Sequence, residues 1–301
     1  MGSGVTGGVL ALTLALLACG GQSTTKAAVP RSEGAMTTAA MQSKVTGAGT
    51  PLVLVGGGLT GWLSWDVHAE RLAGSRKVVR LQPLNVQWGL ENKALPPDYS
   101  VKTEGHAIAT ALDAVGLTGP IDIVGWSYGG LATLDFALDH QERIRTLTLI
   151  EPPALWVLHA VGSLDDEAQK SEASLETLNV DISEAQLEEF LGVAGFARPG
   201  TSVRDLPQWP AWSRHRQSLR NSPAVVGHRD DVARLKAFAK PVLLVKGTGS
   251  SRFLHQAIDA MASHFPHALV IEMPAGHAPQ IVSMDRFLET LAAFQAGAGE
   301  P

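Results

Sequence analysis

Cysteine is almost missing from this chain of 301 residues: Cys19 stands alone. A single thiol forms no intrachain disulfide and builds no Cys-based zinc site. The ten histidines include no HExxH or related ligand spacing, so no metal and no bound cofactor is expected. A large excess of charge of either sign is lacking too. Lys and Arg number 24 against 29 Asp and Glu, a net charge of −5. No basic cluster occurs, which argues against nucleic acid as a partner. No repeat of roughly 20–50 residues is visible, which excludes a solenoid or a propeller. What remains is an ordinary globular composition, 45% hydrophobic and 18% charged, in a chain long enough to bury a sizeable core.

The N-terminus is apolar but short. "VLALTLALLACGG", residues 9–21, is too brief to cross a bilayer as a helix and has the length of a signal-peptide apolar region. "LLAC", Leu16 to Cys19, resembles a bacterial lipoprotein box, whose cysteine becomes the lipid-bearing first residue. That resemblance implies export or lipid anchoring at the cell envelope, with a membrane tether through Cys19. The alternative is a start at Met36 or Met41 and a cytoplasmic protein. Residues 22–47 are rich in Ser, Thr, Ala and Gly and read as a flexible tether, so 1–47 form a segment apart from the fold.

From residue 51 the pattern changes. Short apolar runs read as strands, the first of them buried: "PLVLV" (51–55), "KVVRLQ" (77–82), "IDIVG" (121–125), "TLTLIE" (146–151), "PVLLVKG" (241–247) and "ALVIEM" (268–273). Stretches with helical spacing separate them, at 99–117, 130–144 and 284–296. Apolar strands alternating with helices predict a mostly parallel central sheet flanked by helices, an α/β fold with its site at the carboxyl ends of the strands. The segment 152–235 carries helical patches but no convincing strand, and reads as a helical cap inserted into a core of 48–151 and 236–301.

"IDIVGWSYGGLATL" places a serine between glycines at a strand-to-helix turn. Such a turn is so tight that the residues two places either side of the serine nearly collide, and Gly125 and Gly129 remove that clash. Ser127 is then held at the top of the sheet, and the Tyr128 N–H faces an incoming carbonyl oxygen. A structural turn with a chance serine is the bland alternative. A serine nucleophile needs a base. His277, in "MPAGHAPQ" after the sixth predicted strand, is placed at the same strand ends. His68, His106, His140, His255, His264 and His267 fall in or beside apparent helices and read as solvated; His159, His215 and His228 lie in the inserted segment. The histidine needs an acid to orient it. The loop "KGTGSSRF" offers none, with Ser250 and Ser251 where an Asp is usual. Glu151 ends an apolar strand just before Pro152, and a carboxylate there is costly without a partner. Glu151 is taken as the acid; the alternative is that it caps the strand or pairs with Arg252.

With these residues placed, the chain from about 50 to 297 resembles the α/β-hydrolases that carry a cap domain. The strand–helix order, the serine elbow and Gly276–His277 bear the resemblance. It implies a second oxyanion donor on the loop after the first strand. In "VLVGGG" Gly56 stands in the family's usual His place and Gly58 in the donor place. Six tryptophans, Trp62, Trp65, Trp126, Trp156, Trp209 and Trp212, fall near the expected site. Trp126, Trp156, Trp209 and Trp212 suggest an apolar, aromatic pocket, or else pins between cap and sheet. The expected activity is hydrolysis of a small acyl substrate, an ester first. A carbon–carbon bond hydrolase or a non-catalytic ligand-binding protein on this fold are the alternatives.

Overall fold

A computed structural model describes residues 1, 40–196 and 200–298. The apolar N-terminal run, Cys19 and Met36 lie outside the described residues. Seven strands form one sheet: β1 (Gln42–Thr46), β2 (Thr50–Val55), β3 (Arg76–Gln82), β4 (Ile121–Trp126), β5 (Ile144–Ile150), β6 (Val242–Gly247) and β7 (Ala268–Met273). Their order across the sheet is β1-β3-β2-β4-β5-β6-β7. All neighbouring pairs are parallel except β1 with β3. The six predicted strands are therefore present within a residue or two of their sequence bounds.

β1 is a correction, because it takes residues of the expected tether. It pairs antiparallel along the outer edge of β3, Lys44 opposite Arg80 and Val45 opposite Val79. Most of its side chains face water, so it carries no apolar run for a sequence reading to find. Pairing with β3 satisfies backbone groups that an open edge would expose.

Before the inserted segment lie α1 (Asp66–Leu72), α2 (Leu84–Leu90), α3 (Val101–Ala114) and α4 (Ser127–Asp139). α3 opens with a capping box, in which Ser100 accepts from the Thr103 N–H and Thr103 accepts from the Ser100 N–H. Between β5 and β6 run α5 (Leu155–Val161), α6 (Asp166–Glu176), α7 (Glu184–Val193), α8 (Trp209–His215), α9 (Ser222–Gly227) and α10 (Val232–Lys236). The chain closes with α11 (Arg252–Ala262), α12 (Pro279–Val282) and α13 (Met284–Gly297).

Alternate strand residues feed two cores, as a pleated sheet covered on both faces requires. Val53, Ile123 and Leu147 pack with α3, α4 and α11. Leu52, Val124 and Val245 pack with Trp65, Ala69 of α1 and Phe287 of α13. A third cluster joins Leu59, in the loop after β2, to Leu187, Leu191 and Leu219 of the inserted segment. That cluster brings the insert onto the carboxyl ends of the parallel strands, where Ser127, Glu151 and His277 stand.

Candidate active site

Ser127 follows β4 directly and is the first residue of α4. Trp126 is extended and Ser127 turns left-handed, at φ 53°. A non-glycine residue there is strained by about 1–3 kcal/mol. The turn also brings backbones together: a methyl group on Gly129 would lie 2.1 Å from the Gly56 carbonyl oxygen. On Gly125 it would lie 2.5 Å from Thr133 Oγ1. Only glycine fits either place, which is the local reason for the motif.

Ser127 Oγ lies 2.8 Å from His277 Nε2. His277 Nδ1 lies 2.7 Å from Glu151 Oε2. Glu151, one residue past β5, is fully buried and also left-handed, at φ 42°. Its other oxygen, Oε1, accepts from the Gly247 N–H at 2.7 Å and from the Ser250 hydroxyl. The loop after β6 thus lacks a carboxylate of its own but holds the carboxylate that β5 supplies. Arg252 pairs with Asp165 at 3.1 Å, so it is not the partner of Glu151. Trp126 Nε1 donates to the His277 carbonyl at 2.7 Å and fixes the backbone beneath the imidazole. Through this chain a hydroxyl proton can pass to an imidazole whose far nitrogen faces a buried carboxylate.

Two residues that line the cavity with the serine carry candidate backbone donors. Tyr128 is the second residue of α4, so its N–H has no acceptor within the helix. The Gly57 carbonyl accepts from the Gly61 N–H at 3.0 Å. In a trans peptide the Gly58 N–H then points to the opposite side. Tyr128 and Gly58 both line the cavity that opens above Ser127.

That cavity is mainly apolar. Trp126 and Trp212 line it, together with Leu175, Phe190, Phe196 and Val225. Two of the tryptophans expected there stand elsewhere. Trp156 is 1% exposed, packed in the core, and meets the His228 ring edge-on at 6.0 Å. Trp209 packs on the insert's own cluster with the Arg204 guanidinium 4.7 Å from its ring. Each therefore pins helices, and neither reaches the cavity. Phe196 carried no sequence signal beyond being aromatic, yet its ring lies 5.9 Å from His277 and 5.4 Å from Trp212. Asn221, on the cavity wall, carries no sequence signal at all. His68, read as solvated, is buried with Nε2 2.8 Å from the Gln280 carbonyl, and burial holds its pKa below the usual value.

Among the described residues, the ligand atoms of Asp135, His228 and Asp230 lie within 4.8 Å of one another. Lys102 already sits 3.2 Å from Asp135, and Arg234 2.5 Å from Asp230. Burial above all, with Lys102, Arg229 and Arg234 nearby, lowers the His228 pKa to about 4.

Known proteins share this architecture. The alpha/beta hydrolase family matches residues 52–290. A 2-hydroxy-6-oxo-2,4-heptadienoate hydrolase of Pseudomonas putida is 36% identical over 107 residues, 35% of this chain and 38% of the relative. This chain therefore spans well under half of that enzyme's length. A pimeloyl-[acyl-carrier protein] methyl ester esterase of Nitrosomonas europaea is 25% identical over 85% of this chain and 100% of its own. Among solved structures, a thermophilic esterase from Thermogutta terrifontis superposes with a TM-score of 0.67. It is 20% identical and covers 86% of this chain and 94% of its own.

Proposed function

This chain belongs to the alpha/beta hydrolase family, and from that premise we propose a serine hydrolase acting on a small acyl substrate, foremost a carboxylic ester. One observation carries the reading: the hydrogen-bonded chain from Glu151 through His277 to Ser127, whose hydroxyl meets an apolar cavity. As Ser127 Oγ attacks the acyl carbon, His277 Nε2 takes its proton. The carbonyl oxygen becomes an oxyanion and accepts from the Tyr128 and Gly58 N–H groups. The imidazolium returns its proton to the leaving alcohol, and an acyl group remains on Ser127. Water, deprotonated by His277, then releases the acid and restores the hydroxyl. Glu151 keeps the proton on Nδ1 and stabilises the imidazolium. In this reading residues 152–235 are a cap that shapes the acyl pocket.

The test is hydrolysis of p-nitrophenyl esters of increasing acyl length by the wild type and by Ser127→Ala. Turnover in the wild type alone, with both proteins folded, is the expected result. Turnover retained in Ser127→Ala overturns the assignment.

A second reading, a carbon–carbon bond hydrolase using the same serine, is favoured by the 36% identical stretch shared with the heptadienoate hydrolase. The ester reading stands first because the esterase relative aligns over 85% of this chain. Wild-type protein inert to every ester but active on a carbon–carbon substrate reverses that order. Binding without turnover of either leaves a ligand-binding protein on a hydrolase fold.

A further inference from the structure

The chain has two tyrosines, and they are bonded to each other. The Tyr99 and Tyr128 hydroxyls lie 2.6 Å apart. Tyr99 donates its one hydroxyl proton to Glu104 Oε1. It therefore accepts from Tyr128, and Tyr128 in turn accepts from the Asn221 side chain. Burial, and after it the charge of Glu104, raises both tyrosine pKa values, so both phenols stay donors. Every donor along this row points at one carboxylate.

Glu104 is fully buried in α3, and among the described residues no Lys, Arg or His pairs with it. By contrast the buried Asp122 has both Arg76 and Arg145. An uncompensated buried anion is expensive, and only converging donors sustain it. The remaining donors to Glu104 are the Leu84 N–H at 2.9 Å and the Asn85 N–H at 3.0 Å. The Asn85 side chain then donates onward, to the Gly58 carbonyl at 2.7 Å and the Ser218 carbonyl at 2.9 Å. Two arms thus leave Glu104. One ends on Tyr128 and Asn221, the other on Gly58 and Ser218.

We propose that Glu104 is a positioning residue for the oxyanion cradle, holding Tyr128 through Tyr99 and Gly58 through Asn85. This rests on the serine-hydrolase reading of Ser127. Glu104 touches no reacting atom. It sets where two backbone N–H groups stand before charge develops between them, which is how preorganised donors lower a barrier.

Tyr99→Phe cuts one arm and keeps the ring, which packs edge-on against Trp88 at 5.9 Å. With a p-nitrophenyl ester, kcat is expected to fall about tenfold with KM nearly unchanged. Affinity for a phenylboronic acid, which forms a tetrahedral adduct on Ser127, is expected to fall by a similar factor. Tyr128→Phe should match it, and the double variant should lose little more than either single change. Glu104→Gln should lose at least as much, but its amide N–H would face the Leu84 N–H, so its Tm is measured beside its rate. If it fails to fold, the tyrosine variants decide. Unchanged kcat and boronate affinity in folded Tyr99→Phe overturn the proposal. A lower Tm or a higher KM alone also overturns it, because it assigns the network to holding the helices in place. Turnover surviving in Ser127→Ala sinks the serine reading instead, so the two failures remain distinct.

Discussion

Two fully buried glutamates, Glu151 and Glu104, connect to the serine's surroundings by different routes. Glu151 sits on a left-handed residue at a strand end and faces an imidazole at 2.7 Å. Glu104 sits inside a helix and faces phenols and peptide N–H groups. Burial is costly for both, so burial alone assigns neither a role. Their partners separate them. In the proposed cycle His277 takes a proton from Ser127 and gives it back, so the charge of Glu151 is felt as that proton moves. Phenols with raised pKa values and peptide N–H groups keep their protons, so Glu104 can only hold them in place. Position in the chain also differs: Glu151 at a strand end contacts His277 directly, and Glu104 inside a helix reaches Tyr128 through Tyr99.

The largest effect that would sharpen this contrast is Glu151→Gln. The amide keeps the size and loses the charge, and the proposed mechanism then predicts a fall in kcat of about 10³–10⁴. A loss below tenfold in steady-state ester hydrolysis would place Glu151 beside Glu104 as a holder.

A difference in pH dependence comes next. Burial raises the Glu104 pKa above its ordinary value of 4.5. The folded protein then binds this proton more tightly than the unfolded chain does. Its contribution to stability is full below 4.5 and is lost as pH rises through the raised value. The urea-unfolding free energy of the wild type, minus that of Glu104→Gln, should therefore decline as pH rises. A difference that stays flat contradicts the burial argument.

The smallest effect is on Glu151's other oxygen. Ser250→Ala removes one donor and leaves the Gly247 N–H in place. A kcat loss of about threefold to tenfold is expected. A loss as large as that of Glu151→Gln would show that Ser250, not the strand-end geometry, orients the carboxylate.

The parts of the fold that were legible in sequence are those whose physics is local. Each buried parallel strand is an apolar run, and the serine turn needs its glycines within two residues. The chain order of strands also placed Glu151 and His277 at one edge, because parallel strands end on the same side. β1 was hidden because an exposed edge strand needs no apolar pattern. The pocket was half legible. Trp126 is adjacent to Ser127 and was bound to lie near it. For Trp156 and Trp209 the orientation of short helices decides which way the ring points, and nothing in the residue's identity encodes that. Phe196, Asn221 and Asn85 matter through neighbours that are distant in sequence, so no spacing announces them.

By itself the sequence determined an alternation of strands and helices, a serine held by glycines in a strained turn, and a choice of acid by elimination. Those follow from sterics and periodicity over a few residues. The tertiary structure alone decided which tryptophans face the cavity, which loop braces Glu151, and that Tyr99 links Glu104 to Tyr128, the serine's neighbour. The reason is physical. A buried hydrogen bond is specified by where two chain segments meet, and the route from Glu104 to Gly58 joins α3, the start of α2 and the loop after β2.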